Sequence, residues 1–387
     1  MNQLQPIKAN ERIELLDSIR GLALLGILLV NMSIFSYPSI YLNVANIQWW
    51  DSSLDRGTQW LVAFLAEGKF YPMFSFLFGA GFMLFMTRAE QKQVNSRALY
   101  KRRAFILLGI GLIHAIFIWM GDILVTYALL SLFLLLFRNR KPSTILKWAF
   151  SLLILPALLF TLLLGASSEL SNLDDQSMIQ TYTLISEQAL NVYSEGTYAQ
   201  ILTFRINELM FMYANSIVSL PTVLGMFLLG MFMIRIHVFQ RMDELKSKLK
   251  RAWLISMLVG IPLSIAYATF THSATIEILG ALIGGPAMTI FYLISLTFLY
   301  KQSAVKKGLQ LLAPVGRLGL TNYLLQSIIC TSIFYSYGLG LYGDVSPFWT
   351  VVLALSIYVI QIFFSHLWLK RYQFGPAEWI WRKLTYK

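Results

Sequence analysis

His114 is the residue that most needs a chemical reading. It stands in Gly111-Leu112-Ile113-His114-Ala115-Ile116, an apolar stretch that offers the imidazole no neighbour of its own. An ionisable group in such a stretch is costly and by default marks function. Imidazole takes and returns a proton near neutral pH, which suits general-base work. The competing reading is a neutral, structural imidazole hydrogen-bonded to another helix. Asn31 occupies a comparable setting, eleven residues after Arg20, as His114 stands eleven after Arg103. At ~1.5 Å per residue, each polar group lies roughly 16 Å beyond its arginine. If the two segments are neighbours, amide and imidazole can meet. Asp122 follows His114 by eight residues, about 12 Å on a continuous helix, so it reaches the ring only if the helix breaks. Otherwise Gly121-Asp122 reads as an N-terminal cap for the next element.

A second group suits anion binding. Arg20, Arg102, Arg103 and Arg317 stand at the ends of apolar runs, and the planar guanidinium fork matches phosphate oxygens. Asp17 and Arg20, three apart, also read as a plain salt bridge. Asn322, Tyr323 and Gln326 make a polar patch inside another apolar run and must face protein or a cavity, because lipid offers no partners. His366 reads as structural or interfacial, and His237 and His272 fall in connections. No His, Cys or carboxylate set has metal-ligand spacing, and neither a dinucleotide fingerprint nor a nucleophile elbow occurs in usable context. Cys330 is the lone cysteine, so no intrachain disulfide forms.

The elements that must position these residues follow from composition. Of 387 residues, 57% are hydrophobic and 13% charged, with mean hydropathy +0.62. A soluble domain carries about 25% charged residues, so the chain reads as one all-α polytopic membrane domain across 1–387. Ten apolar runs approach the roughly 20 residues a span needs: 19–38, 70–87, 104–120, 123–137, 144–166, 214–234, 252–271, 277–300, 318–336 and 347–369. The segment just before the second run, TQWLVAFLAEGKF (58–70), either extends that run or lies as an interfacial helix. The first 20 residues lack the apolar core and cleavage site of a removable signal peptide.

Charge orients the spans. With the N-terminus inside, 28 of the 31 Lys and Arg fall in inner segments, leaving only Arg56, Lys69 and Arg205 outside. Twelve of the 19 acids lie outside or at the outer edge. The net charge of +12 therefore reflects topology, with both termini cytoplasmic in a plasma membrane, and argues for no nucleic-acid partner. The long outer loop, 167–213, has apolar residues at helical spacing through Ile179, Tyr182, Ile185, Ala189 and Val192. It predicts amphipathic helices on the outer face.

These residues also carry a resemblance. Leu16-Asp17-x2-Arg20-Gly21-x-Ala23-Leu24-Leu25-Gly26-Ile27-x3-Asn31 resembles the opening motif of the YeiB-like family, domain of unknown function 418. Phe74-Ser75-x-Leu77-Phe78-Gly79-x-Gly81-Phe82, Gly111-x2-His114 and Asp122-Ile123-Leu124-x2-Tyr127-Ala128 resemble its next blocks. Gly316-Arg317-x2-Leu320-Thr321-Asn322-Tyr323-x2-Gln326-Ser327 and, in the cytoplasmic tail 371–387, Phe374-Gly375-Pro376-x-Glu378-Trp379-x-Trp381-Arg382 complete the set. That family is similar to heparan-alpha-glucosaminide N-acetyltransferase and, more distantly, to acyltransferase-3 membrane enzymes. The resemblance implies acyl transfer from cytoplasmic acyl-CoA or acetyl-CoA to a small-molecule, glycan or lipid acceptor beyond the bilayer. Asn31 falls where the lysosomal enzyme has a functional asparagine. Where that enzyme has its functional histidine this chain has Leu42, so His114 would have to substitute.

The expectation is a transmembrane acyltransferase. Its catalytic set is His114, Asn31 and Asp122, and its donor set is Arg20, Arg102, Arg103, Arg317, Asn322 and Tyr323, with no metal. A proton-coupled or small-solute transporter and a non-catalytic scaffold are the rival readings. A homodimer stays open.

Overall fold

The computed structural model describes residues 12–168, 175–271 and 273–386. Glu169 and Asp174 of the outer loop, and His272, lie outside them. The described residues form helices and connections with no strand. In chain order the helices are α1 (Glu14–Ser36), α2 (Ser39–Val44), α3 (Ser53–Leu65), α4 (Phe70–Gln91), α5 (Ser96–Phe117) and α6 (Leu124–Phe137). Then come α7 (Pro142–Ser168), α8 (Asp175–Glu195), α9 (Tyr198–Ser216), α10 (Leu220–Arg235), α11 (Lys246–Thr269) and α12 (Ala274–Leu279). The last six are α13 (Gly285–Leu299), α14 (Ser303–Gln310), α15 (Ala313–Arg317), α16 (Gly319–Phe334), α17 (Pro347–Arg371) and α18 (Pro376–Tyr386).

Each of the ten apolar runs coincides with a helix. Among the described residues, seven helical segments are long and apolar enough to cross a membrane: Glu14–Ser36, Ser53–Gln91, Pro142–Leu163, Tyr198–Arg235, Lys246–Thr269, Ala274–Leu299 and Pro347–Arg371. α6 is apolar but shorter. The segment before the second run joins it rather than lying apart, since α3 and α4 share one 39-residue stretch. They are separated by a break at 66–69 where Gly68 takes φ +75°. At ~1.5 Å per residue that stretch far exceeds a 30 Å core, so a bend is required. The outer loop forms α8 and α9. α9 then runs through a 3-10 turn, Ile217–Ser219, into α10, so it does not lie as a free surface helix. On α8 the inward face is Tyr182, Ile185, Ser186, Ala189 and Tyr193, while Ile179 is exposed.

Close helix crossings bring the site residues together. At Gly79 a Cβ would fall 1.9 Å from the Phe227 carbonyl oxygen, and at Gly230 1.9 Å from that of Phe76. Only glycine therefore permits the α4–α10 contact. The same device joins α1 to α15. A Cβ at Gly316 would lie 1.9 Å from the Asp17 oxygen, and one at Gly21 2.3 Å from the Leu312 oxygen. That approach carries Arg317 to the Arg20 end of α1. Between α16 and α17 a buried amide clasp forms: Gln326 Nε2 donates to Gln361 Oε1 at 2.9 Å, and Gln361 Nε2 to the Asn322 oxygen at 2.9 Å.

Candidate functional site

α5 begins with an Asn95 side-chain cap on the Ala98 N–H and stops at Phe117. There the His114 carbonyl accepts from both Ile118 and Trp119 N–H at 2.9 Å. The chain then turns through 118–123 without helix before α6 starts. This break brings Asp122 back onto His114. The imidazole Nδ1 lies 2.7 Å from Asp122 Oδ2, with both side chains essentially buried. A carboxylate can only accept, so Nδ1 carries the hydrogen, and in the neutral ring Nε2 keeps its lone pair. That Nε2 has no hydrogen-bond partner among the described residues. The other oxygen, Oδ1, accepts from Val125 N–H at 2.8 Å. Capping and orienting the ring are thus both done by one carboxylate, rather than being alternatives.

Tyr323 braces the turn. Its ring centroid is 5.2 Å from that of His114. Its hydroxyl donates to the Gly121 oxygen at 3.2 Å and accepts from Ile123 N–H at 3.3 Å. Gly111 lets α6 approach, since a Cβ there would sit 2.8 Å from Val125 N.

A cavity of about 350 Å³ leads from one end of the bundle to this turn. Its mouth carries six arginines: Arg12, Arg20, Arg88, Arg103, Arg317 and Arg382. Its inner wall is Phe74, Phe78, Tyr127, Ile123, Leu124 and Tyr323. His114 stands behind Tyr323 and is not itself part of the wall. Two carboxylates, Asp17 and Glu378, reach the cavity, and both are occupied. Asp17 pairs with Arg20 at 2.8 Å and Arg12 at 3.9 Å. Glu378 Oε1 accepts from Leu320 and Thr321 N–H at 2.7 and 3.0 Å, so it caps α16. Burial pushes the Arg12 pKa down, and Arg317 pushes it further; Asp17 opposes, and Arg382 and Arg20 add to the repulsion. Among the described residues the lining brings six arginines together with two carboxylates.

The C-terminal helix α18 closes one side. The Arg103 guanidinium stacks 3.7 Å from the Trp381 ring centroid, while Trp381 Nε1 donates to the Arg103 oxygen at 2.9 Å. Arg382 lies over Phe374 at 4.4 Å. Arg12, Arg88, Arg382, Glu378 and Trp381 were not singled out by type and spacing. Arg12 and Arg88 sit in basic segments that membrane insertion alone explains, and only the tail motif hinted at the other three.

Three expected site residues fall elsewhere. Arg102 is exposed and absent from the wall; one residue from Arg103, it is turned by about 100° around the helix. Asn322 is fully buried against α17, with Nδ2 donating to the Val315 oxygen at 3.1 Å and Ser365 Oγ at 3.0 Å. It belongs to the clasp, not to the cavity. Asn31 is half-buried and makes no hydrogen bond to His114, because α1 packs chiefly on α15, α16, α17 and α4. The arginines of the two eleven-residue patterns do share the cavity, whereas their polar ends are not joined. His366 Nδ1 donates to its own helix at Ile362, 2.9 Å away, as a structural histidine does. No group of three or more potential metal ligands occurs among the described residues.

Membrane-length apolar helices gathered around a charged cavity define a multi-pass, all-α membrane protein. Residues 233–387 match the family described as Protein of unknown function (DUF418). Over its full length the chain is 40% identical to the uncharacterized protein YxaH of Bacillus subtilis (strain 168), covering 97% of it. It is 30% identical to an uncharacterized 39.9 kDa protein in the amylase 3' region of Bacillus acidopullulyticus, over 99% of this chain and 96% of the relative. It is 28% identical to the uncharacterized protein YeiB of Escherichia coli (strain K12), over 97% and 96%. No solved structure matches. The chain belongs to the YeiB-like DUF418 family.

Proposed function

We propose that this protein is a transmembrane acyltransferase that takes its acyl group from acyl-CoA entering at the arginine end. That end is cytoplasmic in this reading, with both termini inside and the protein in the plasma membrane. One observation carries it: an arginine-mouthed, aromatic-lined cavity ends at the turn that holds the His114–Asp122 pair. The phosphates of the donor meet Arg12, Arg20, Arg317 and Arg382, and its pantetheine arm and acyl group follow the aromatic wall inward. About 350 Å³ lies near the lower end of the usual ~300–1,000 Å³ for ligand sites, which fits the arm with the nucleotide left at the mouth.

The chemistry follows from the ring's tautomer. His114 Nε2 accepts the proton of an acceptor hydroxyl or amine, and Asp122 stabilises the imidazolium that results. The acceptor oxygen or nitrogen bonds to the thioester carbonyl carbon, the C–S bond breaks, and the leaving thiolate takes the proton back from the imidazolium. The products are an ester or amide and free CoA thiol. Tyr323 moves aside or tilts to admit the acyl carbon. The test is calorimetric titration of acetyl-CoA into the purified full chain, where binding is expected in the parent and should weaken at least tenfold in Arg12→Gln/Arg317→Gln. No binding by the parent refutes the reading.

One feature favours transport instead. The α3–α4 break meets the π-helical stretch Gly280–Gly284 that precedes α13, and a Cβ at Gly285 would lie 2.1 Å from the Gly68 oxygen. Paired helix interruptions bind ions in many transporters, and buried Lys69 sits at this one. Solute flux dependent on Lys69 and indifferent to acyl-CoA would support that second reading.

A further inference from the structure

At the end of the bundle opposite the arginine-mouthed cavity lies a buried seam of polar atoms without partners. Arg205, on α9, is fully buried. Its Nη1 donates to the Ile116 oxygen at 3.2 Å, and the Tyr337 hydroxyl lies beside it. That hydroxyl is a hydrogen-bond partner of the guanidinium, while Nε and Nη2 have no hydrogen-bond partner among the described residues. Glu208, one turn along the same helix, does not form an ion pair with it among the described residues. That carboxylate is instead taken up by the Tyr193 and Tyr41 hydroxyls. Among the described residues the Trp119 indole N–H, the Tyr213 hydroxyl and His114 Nε2 are likewise buried and unpartnered.

Two hydrophobic clusters hold these groups near one another. Trp119 and Tyr335 pack with Phe204, the neighbour of Arg205. Tyr213 and Leu209 of α9 pack with Ala115, the neighbour of His114. The Arg205 contact at Ile116 is only two residues, about 3 Å of helix rise, from His114. Buried donors in folded proteins are nearly always paired, with protein groups, ordered water or a ligand, so a run of them marks a place where a polar ligand can complete them.

The donor inventory defines that ligand. Guanidinium and indole N–H groups can only donate, so they require acceptor oxygens, and the positive charge requires an anion. The lone pair on His114 Nε2 requires an O–H or N–H. We propose that this seam is a binding subsite for a hydroxyl-bearing anion, with its phosphate or carboxylate on Arg205 and its hydroxyl directed to His114. The anion is the headgroup of an acidic lipid or a free phosphate ester. In the acyltransferase reading this compound is the acceptor. The anion site itself does not depend on that reading.

The test uses the full chain in phosphatidylcholine nanodiscs, in an Arg12→Gln/Arg317→Gln background that weakens anion binding at the competing cavity. Inorganic phosphate and glycerol 3-phosphate should both raise the thermal midpoint in a saturable manner, whereas glycerol should not. Arg205→Gln should raise the half-saturating concentration at least tenfold. Arg205→Lys, which keeps charge but not the fork, should fall between and serves if the glutamine variant does not fold. In phosphatidylglycerol discs, stabilisation that Arg205 variants lose, with no further effect of added phosphate, assigns the anion to lipid. Equal half-saturation in parent and Arg205 variants overturns the proposal, as does no stabilisation by any anion in either lipid. Acetyl-CoA binding by the parent, measured in parallel, reports on the acyltransferase reading separately.

Discussion

His114 and Asp122 are eight residues apart yet 2.7 Å apart at Nδ1 and Oδ2, because α5 ends between them. The same carboxylate caps α6 through Val125 N–H. The orientation of the imidazole and the start of α6 therefore rest on two oxygens of one side chain.

They can be separated by substitution. In Asp122→Asn the amide oxygen can still cap α6, so thermal stability should change by about 1 kcal/mol or less. Its amide cannot stabilise an imidazolium, and acyl transfer should fall by about 10²-fold or more. Asp122→Ala should lose both. Equal transfer in parent and Asp122→Asn would remove the pair from the mechanism.

Tyr323 holds the turn by its hydroxyl, so Tyr323→Phe leaves the Ile123 N–H and the Gly121 oxygen without a partner. A loss of about 1–3 kcal/mol is expected, read as a lower thermal midpoint, with little change in acetyl-CoA affinity.

Gly81 lines the cavity, and a Cβ there would meet nothing within 4 Å. Gly81→Ala should stabilise the helix by up to about 1 kcal/mol. Gly81→Leu should fill the cavity without unfolding the protein, and so abolish acetyl-CoA binding in calorimetry while the thermal midpoint holds.

Glu378 latches α18 to the start of α16. Burial raises its pKa, against the pull of the Thr321 and Leu320 bonds. Glu378→Ala should free the tail helix, and hydrogen exchange across 376–386 should accelerate at least tenfold while α4 and α10 keep their protection.

Much of the fold was legible because a bilayer allows few solutions: every apolar run became a helix. His114, Arg20, Arg103, Arg317 and Tyr323 were legible as polar groups that lipid could not satisfy. The His114–Asp122 contact was not, because helix rise separates the two unless the end of α5 is known. Arg12 and Arg88 were hidden among basic residues that insertion explains equally well. Arg205 carried a signal that went unread: it is the lone basic residue in an acidic outer loop. Asn322 misled because inter-helix clasps use the same amides as ligand sites.

The most direct test is transfer of label from [14C]acetyl-CoA to a native membrane extract by the reconstituted full chain, parent against His114→Ala. The account predicts label transfer by the parent and at least a hundredfold loss in His114→Ala, with folding and acetyl-CoA binding retained. Equal transfer by the two proteins would contradict it.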